Sequence, residues 1–220
     1  GSVVLTLEVT GNGACTTPAT DNMTLTITPA PTANAGSAEN ICAATAYDLS
    51  TSTTPPSASN FASLSWTTSG DGGFDDNTVL APVYTPGPTD ATNGTVTLTL
   101  EAIGNGSCGA VTSDVIMTII PNPTAEAGSD EEICSTDTFD MTDFTAAPSV
   151  SNNNGLEWST SGTGTFGDET QLITTYSPSV DDITAGTVTL TLTAFGNENC
   201  VDATDNMTLT ITPAPTAEAG

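Results

Sequence analysis

Thr95-Val96-Thr97-Leu98-Thr99-Leu100 alternates threonine with an aliphatic residue, and the same six residues return unchanged at Thr187–Leu192. Strict period two marks a strand with one buried face. Val96, Leu98, Leu100 and Ala102 point one way, and Thr95, Thr97, Thr99 and Glu101 the other; Val188, Leu190, Leu192 and Ala194 repeat the inward set. The offset between the two copies, 92 residues, extends outward from them in both directions. The tracts PAPTANAG, PNPTAEAG and PAPTAEAG end at Gly36, Gly128 and Gly220. Residues 37–128 slide over 129–220 without a gap, and 45 of 92 positions are identical. A unit of that length suits a single sandwich core.

Residues 1–36 match only the last part of a repeat, since Gly1–Leu7 lines up with Gly94–Leu100. The expected organisation is therefore 1–30 as the C-terminal part of a truncated repeat, or as a pair of donated strands. Residues 31–122 and 123–214 are then complete repeats, and 215–220 a linker into a next one. Within a repeat, the TVTLTL strand is followed by a Gly/Asn/Cys turn (GNGAC, GNGSC, GNENC) and a second alternating strand, Met23–Ile27 or Met207–Ile211. That reads as a hairpin with an elaborated loop. Further strands are expected at Ala46–Leu49, Ser63–Thr67 and Leu80–Tyr84, with Trp66 as the central core aromatic. No 11-residue window carries a helical stripe. Six to eight strands per repeat, separated by turn signals, define the fold class as all-β: tandem immunoglobulin-like β-sandwich repeats of 92 residues.

The charge balance narrows the function. There are 26 acidic residues and no Lys, Arg or His, so neutrality is reached only near pH 2.5–3, roughly, where almost every carboxylate is protonated. Nothing in the chain can neutralise a phosphate, which excludes nucleic-acid binding and adsorption to anionic membranes. Side-chain salt bridges are impossible. Serine and threonine lack the ordinary base that would activate them, and no acidic pair stands beside an aromatic sugar cleft, so an enzyme is not expected. No apolar run approaches the length of a membrane span, so direct membrane insertion is not expected either. Threonine supplies 45 of the 220 residues, which suits narrow sandwiches with threonine-covered outer faces.

Other landmarks recur in fixed order. Ile41-Cys42 matches Ile133-Cys134, Tyr47-Asp48-Leu49 matches Phe139-Asp140-Met141, and Trp66-Thr67-Thr68-Ser69-Gly70 matches Trp158-Ser159-Thr160-Ser161-Gly162. Gly-x-Phe, Tyr-x-Pro, Gly-Thr-Val-Thr-Leu-Thr-Leu and Gly-Asn-x-x-Cys follow. This order is similar to the immunoglobulin-like and PKD-like tandem repeats of large secreted surface adhesins or filament proteins of Bacteroidetes-type bacteria. The resemblance covers the whole chain and implies an extracellular or cell-surface location. It specifies the repeat class more closely than the role.

Five cysteines occupy two repeat positions: Cys42 and Cys134 before the second strand, and Cys15, Cys108 and Cys200 after the penultimate one. The simplest pairing lies within each repeat, Cys42–Cys108 and Cys134–Cys200, with Cys15 joined upstream. The alternative, Cys42–Cys200, staples adjacent repeats; the Cα separation a disulfide tolerates allows one scheme only. Asp71, Asp75 and Asp76 in GDGGFDDN form an acidic loop whose oxygens suit Ca²⁺, although the spacing is not that of a dedicated calcium loop. Glu39, Asp130, Glu131 and Glu132 near the linkers offer further oxygens. Sequons at Asn22, Asn93, Asn105 and Asn206, in loops or at strand ends, are candidate carriers of covalent glycans. No cofactor is required.

Two functions follow. One is a structural component of an extracellular filament, stalk or surface fibre, its short Pro-punctuated linkers holding neighbouring sandwiches stiffly and its partner being its own continuation or another copy. The other is an adhesin or binding module whose domain-end loops recognise a glycan or surface.

Overall fold

A computed structural model describes residues 1–43, 45–198 and 200–218. Strands account for 49% of the chain and helices for 8%, so the protein is all-β, a tandem array of immunoglobulin-like sandwiches. Two compact units are present: Gly1–Glu39 with Ala44–Thr118, and Asn40–Ala43 with Ile119–Gly220.

The chain opens with a two-stranded antiparallel hairpin, β1 (Ser2–Val9) and β2 (Ala19–Thr26). The short strands β3 (Thr32–Asn34), β4 (Asn40–Cys42), β5 (Tyr47–Asp48) and β6 (Ser57–Ser59) lead to the long β7 (Phe61–Thr68). Then come β8 (Gly73–Phe74), β9 (Val83–Thr85), the helix α1 (Pro88–Asn93), β10 (Thr95–Gly104) and β11 (Ala110–Ile120). The next repeat runs β12 (Thr124–Glu126), β13 (Glu131–Cys134), β14 (Phe139–Asp140), β15 (Ser149–Ser151) and β16 (Asn153–Thr160). It ends with β17 (Thr165–Phe166), β18 (Thr175–Ser177), α2 (Val180–Ala185), β19 (Thr187–Gly196) and β20 (Ala203–Thr212).

Both repeats build the same sheets. The orders β4-β11-β10-β7 and β13-β20-β19-β16 are equivalent, as are β5-β9-β8 and β14-β18-β17. The pair β3-β6 corresponds to β12-β15. In the second repeat β13 runs parallel to β20, placing Cys134 opposite Thr212, while β19 and β20 are antiparallel with Leu192 opposite Asp205.

The alternation read from sequence is the alternation of burial. Val96, Leu98, Leu100 and Ala102 are buried, as are Val188, Leu190, Leu192 and Ala194. In the second repeat Trp158, paired with Leu192 in the same sheet, and Met207, Leu209 and Ile211 of β20 extend this face, and Phe139, Met141 and Tyr176 complete the buried cluster. Trp66 is the expected core aromatic, and its Nε1–H donates to the Val79 and Leu80 carbonyls at 3.2 and 3.3 Å. Phe74 lies between Trp66 and Tyr84, with centroids 5.8 and 5.1 Å away; Phe166 does the same between Trp158 and Tyr176. Such aromatic contacts add modestly to apolar burial.

The two helices were not expected from the sequence. Each is six residues long, too short to show a stripe in an 11-residue window. Each ends at a left-handed glycine, Gly94 (φ 72°) or Gly186 (φ 77°), the usual stop for a helix.

Candidate functional site

The covalent feature of the molecule is a disulfide between Cys42 and Cys200, with Cα atoms 5.4 Å apart and 158 residues of sequence between them. The bonded cysteines belong to successive sequence repeats, and both fall in the second compact unit, since Asn40–Ala43 is part of it. This is the alternative pairing, and it replaces the simpler Cys42–Cys108 and Cys134–Cys200. The reason is strand geometry. Cys134 sits opposite Thr212 at the far end of β20, whereas Cys200 sits just before its first residue, Ala203. Ten residues of extended chain separate the two ends by about 30 Å, far beyond the roughly 7 Å a disulfide tolerates. Beside the bond, Asn40 Nδ2 donates to Glu198 Oε1 at 2.9 Å. Cys15 and Cys134 are exposed thiols and Cys108 is a half-buried one.

A second feature, absent from the sequence reading, is a buried aspartate in each repeat. Asp90 and Asp182 are 1% and 2% exposed. Asp182 Oδ2 accepts from the Tyr176 hydroxyl (2.8 Å) and the Ser179 amide (2.9 Å), and Oδ1 accepts from the Thr163 amide (2.9 Å). Asp90 Oδ2 accepts from the Tyr84 hydroxyl (2.6 Å) and the amides of Gly72 and Gly87 (both 3.0 Å). Its Oδ1 is buried without a partner. The carboxylates replace a missing cation with converging N–H and O–H dipoles. Glycine is needed beside them: a Cβ on Gly70 would stand 1.5 Å from Asp90 Oδ1, and one on Gly162 2.0 Å from Asp182 Oδ1.

The electrostatics follow from this packing. Burial pushes the Asp182 carboxyl up, but the Ser179 and Thr163 amides and the Tyr176 hydroxyl together outweigh it and hold the group below its ordinary value. Burial, reinforced by the neighbouring aspartate, raises both the Tyr84 and the Tyr176 phenols. The available signal was the recurrence of Tyr-x-Pro-x-x-x-Asp, Tyr84 to Asp90 and Tyr176 to Asp182. Acidity by itself does not separate such a buried carboxylate from one on the surface.

Asp71, Asp75 and Asp76 are exposed and turned to backbone amides. Asp71 accepts from the amides of Thr89 and Asp90 at the start of α1. It does for the N-cap glycine, Gly87, what the Ser179 hydroxyl does at 3.1 Å for the Asp182 amide in α2. Asp75 accepts from Asp76 N and Val83 N, and Asp76 from Thr78 N and Oγ1. The linker carboxylates are used similarly. Glu39 and Glu131 each take a serine hydroxyl and a backbone amide at 2.7 Å (Ser37 and Thr53, Ser129 and Thr145), which holds both below the ordinary glutamate value. Asp130 accepts from the Thr208 amide, and Glu132 from the Thr212 hydroxyl. Among the described residues no three His, Cys, Asp or Glu side chains are grouped to hold a metal ion.

All four sequon asparagines are exposed. Asn22 and Asn206, expected in loops or at strand ends, lie inside β2 and β20, where each Oδ1 accepts a cross-strand threonine hydroxyl at 2.6 Å (Thr6 and Thr191). Asn105 lies in the β10–β11 turn and donates to the Asn60 carbonyl at 2.9 Å. Asn93 closes α1.

No family model matches the chain, and no curated protein does. Solved structures of similar fold include a fragment of a mouse clustered protocadherin (14% identity, TM-score 0.44, covering 96% of this chain and 77% of that one). An I-band fragment of titin matches at 11% identity and TM-score 0.46, over 96% of this chain and 74% of that one. Among the described residues, no helix is long and apolar enough to cross a membrane.

Proposed function

We propose that the chain is a structural module of an extracellular or cell-surface filament, stalk or fibre made of tandem immunoglobulin-like domains. The observation that carries this reading is a single sandwich plan repeated every 92 residues without a gap, with successive sequence repeats joined by the Cys42–Cys200 disulfide. A chain without a cation has no salt bridge to hold an array together. Ladders, apolar cores and covalent bonds must carry that load, and all three are built here into the repeat itself. The partner in this reading is the continuation of the same chain or another copy of it. The polar groups richest in hydrogen bonds, Asp90 and Asp182, are buried as fold clamps.

Electron microscopy of the native assembly tests the proposal. A regular linear fibre is expected, with a period set by the repeat. Isolated compact particles that bind a surface glycan saturably would overturn it in favour of an adhesin. Covalent glycans, if the native fibre carries them, are expected first at Asn93, since the other three sequon amides already serve the fold. An intact mass before and after deglycosylation, followed by site mapping, checks this.

A further inference from the structure

The Cys42–Cys200 bond uses one cysteine of each repeat class, and three thiols of the same two classes are left over. Their backbones are already set as in the bonded pair. Cys134 ends β13 as Cys42 ends β4. The residue after each continues the ladder: Ala43 N donates to Ile120 O at 2.8 Å, and Ser135 N to Thr212 O at 2.9 Å. In the loop class, Cys108 N donates to Asn105 O at 3.2 Å, as Cys200 N does to Asn197 O at 3.0 Å. A glycine four residues earlier packs on the cysteine in all three loops. A Cβ on Gly196 would meet Cys200 O at 1.9 Å, one on Gly11 would meet Cys15 O at 2.2 Å, and one on Gly104 would meet Cys108 Cβ at 2.6 Å.

We propose that Cys134 is the open end of a second staple of the same kind, accepting a loop cysteine of the Cys108 class from a following repeat. Charge selects the loop. At the formed bond Asn40 donates to Glu198. The residue matching Asn40 beside Cys134 is Glu132, and Cys134 and Glu132 line one open depression of about 350 Å³ together with Glu131, Asp137, Asp140 and Asp143. A loop carrying glutamate in that place meets like charge there, whereas the Gly106-Ser107 loop before Cys108 carries none. The mate of Cys134 is therefore a loop of the uncharged GNGSC type. Its formation converts two thiols to one disulfide. Two protons and two electrons pass to a small-molecule disulfide oxidant, which leaves as two thiols.

The inference rests on the repeat architecture and not on the filament reading, so either can fail alone. The test lengthens the full 220-residue chain after Gly220 with a second copy of residues 37–128, which keeps the repeat phase. The protein is folded in an oxidised/reduced glutathione buffer, the remaining thiols are alkylated, and the bonds are mapped after cleavage at Asp and Glu. In the original chain Cys134 is alkylated. In the lengthened chain Cys134 is expected to lose its adduct and appear bonded to the appended copy of Cys108, with Cys42–Cys200 intact. Alkylated Cys134 beside an intact Cys42–Cys200 bond overturns the proposal, as does a bond within the appended repeat. A variant of the appended copy with Gly106→Glu is expected to form the bond in lower yield; equal yields would remove the charge argument.

Discussion

Asp90 and Asp182 look alike in sequence and each accepts three hydrogen bonds, but the three are shared differently between the two oxygens. Both oxygens of Asp182 accept from the fold, while Asp90 has an unpaired Oδ1. Replacing Asp182 with Asn sets an NH₂ group against either the Thr163 amide or the Tyr176 and Ser179 donors, so one buried contact becomes donor against donor. The expected cost is about 2–3 kcal/mol. Asp90→Asn can place its NH₂ where no donor faces it, and is expected to cost at least about 1 kcal/mol less. Urea unfolding of the two variants, followed by tryptophan fluorescence, compares them. The Asp182 carboxylate also gives a pH signature. Its folded pKa is depressed, so its contribution is fully present above the unfolded carboxylate range, about pH 4. That contribution is lost as pH falls through the lower folded value. The gap in stability between the parent and Asp182→Asn should therefore be constant near neutrality and narrow in acid; a gap independent of pH down to full protonation would exclude an ionised clamp. These residues were poorly legible because a carboxylate without a cation reads as surface. Only a partner donor set, invisible in one dimension, makes its burial tolerable.

At the scale of elements, the opening hairpin differs most from its counterparts. Leu5 and Leu7 are 47% and 66% exposed, whereas Leu98 and Leu100, the residues they match in β10, are fully buried. Met23 and Leu25 are exposed in β2, while Met207 and Leu209 are buried in β20. The alternation is the same, but a two-stranded sheet with no second layer is marginal in water. Amides of β1 and β2 are therefore expected to exchange with solvent at least about 10³-fold faster than those of Val188–Leu192, which open only with global unfolding. Hydrogen exchange with mass spectrometry reads the ratio, and comparable protection would show that the hairpin's apolar face is covered in solution. The TVTLTL strands β10 and β19 were legible almost to their ends, whereas β2 and β20 begin four residues before the expected Met23 and Met207. Strands defined by special contacts were not legible in this way. The expected Leu80–Tyr84 became Val83–Thr85 because the Val79 and Leu80 carbonyls receive the Trp66 indole. Leu49 left its strand because Asp48 accepts from the Ser50 amide and turns the chain into a short 3₁₀ helix.

The whole molecule carries a formal charge of −26 with no compensating side chain. The carboxylates of the two buried clamps, of the Asp71–Asp76 loop and of Glu39 and Glu131 are stabilised locally by N–H and O–H donors, which neutralise none of the net charge. Repulsion therefore acts across the folded chain and is relieved when unfolding spreads the charges apart. The cysteine pairing follows from the same scale. The five residues and their two classes were legible, but their partners depended on the length of β20, which places Cys134 and Cys200 at opposite ends of one strand. With Cys42–Cys200 closed, the unfolded chain retains a loop spanning 158 residues of sequence, so its charges cannot separate as far as in the reduced chain. Screening should consequently matter more after reduction. Raising NaCl from ~0.01 M to ~1 M shortens the Debye length from about 30 Å to about 3 Å. The urea midpoint is expected to rise with salt in both forms, and to rise further in the reduced and alkylated protein than in the oxidised one. Equal salt shifts in the two forms would show that the bond does not confine the unfolded charge. A midpoint that falls with salt would mean that the dispersed carboxylates are net stabilising as they stand.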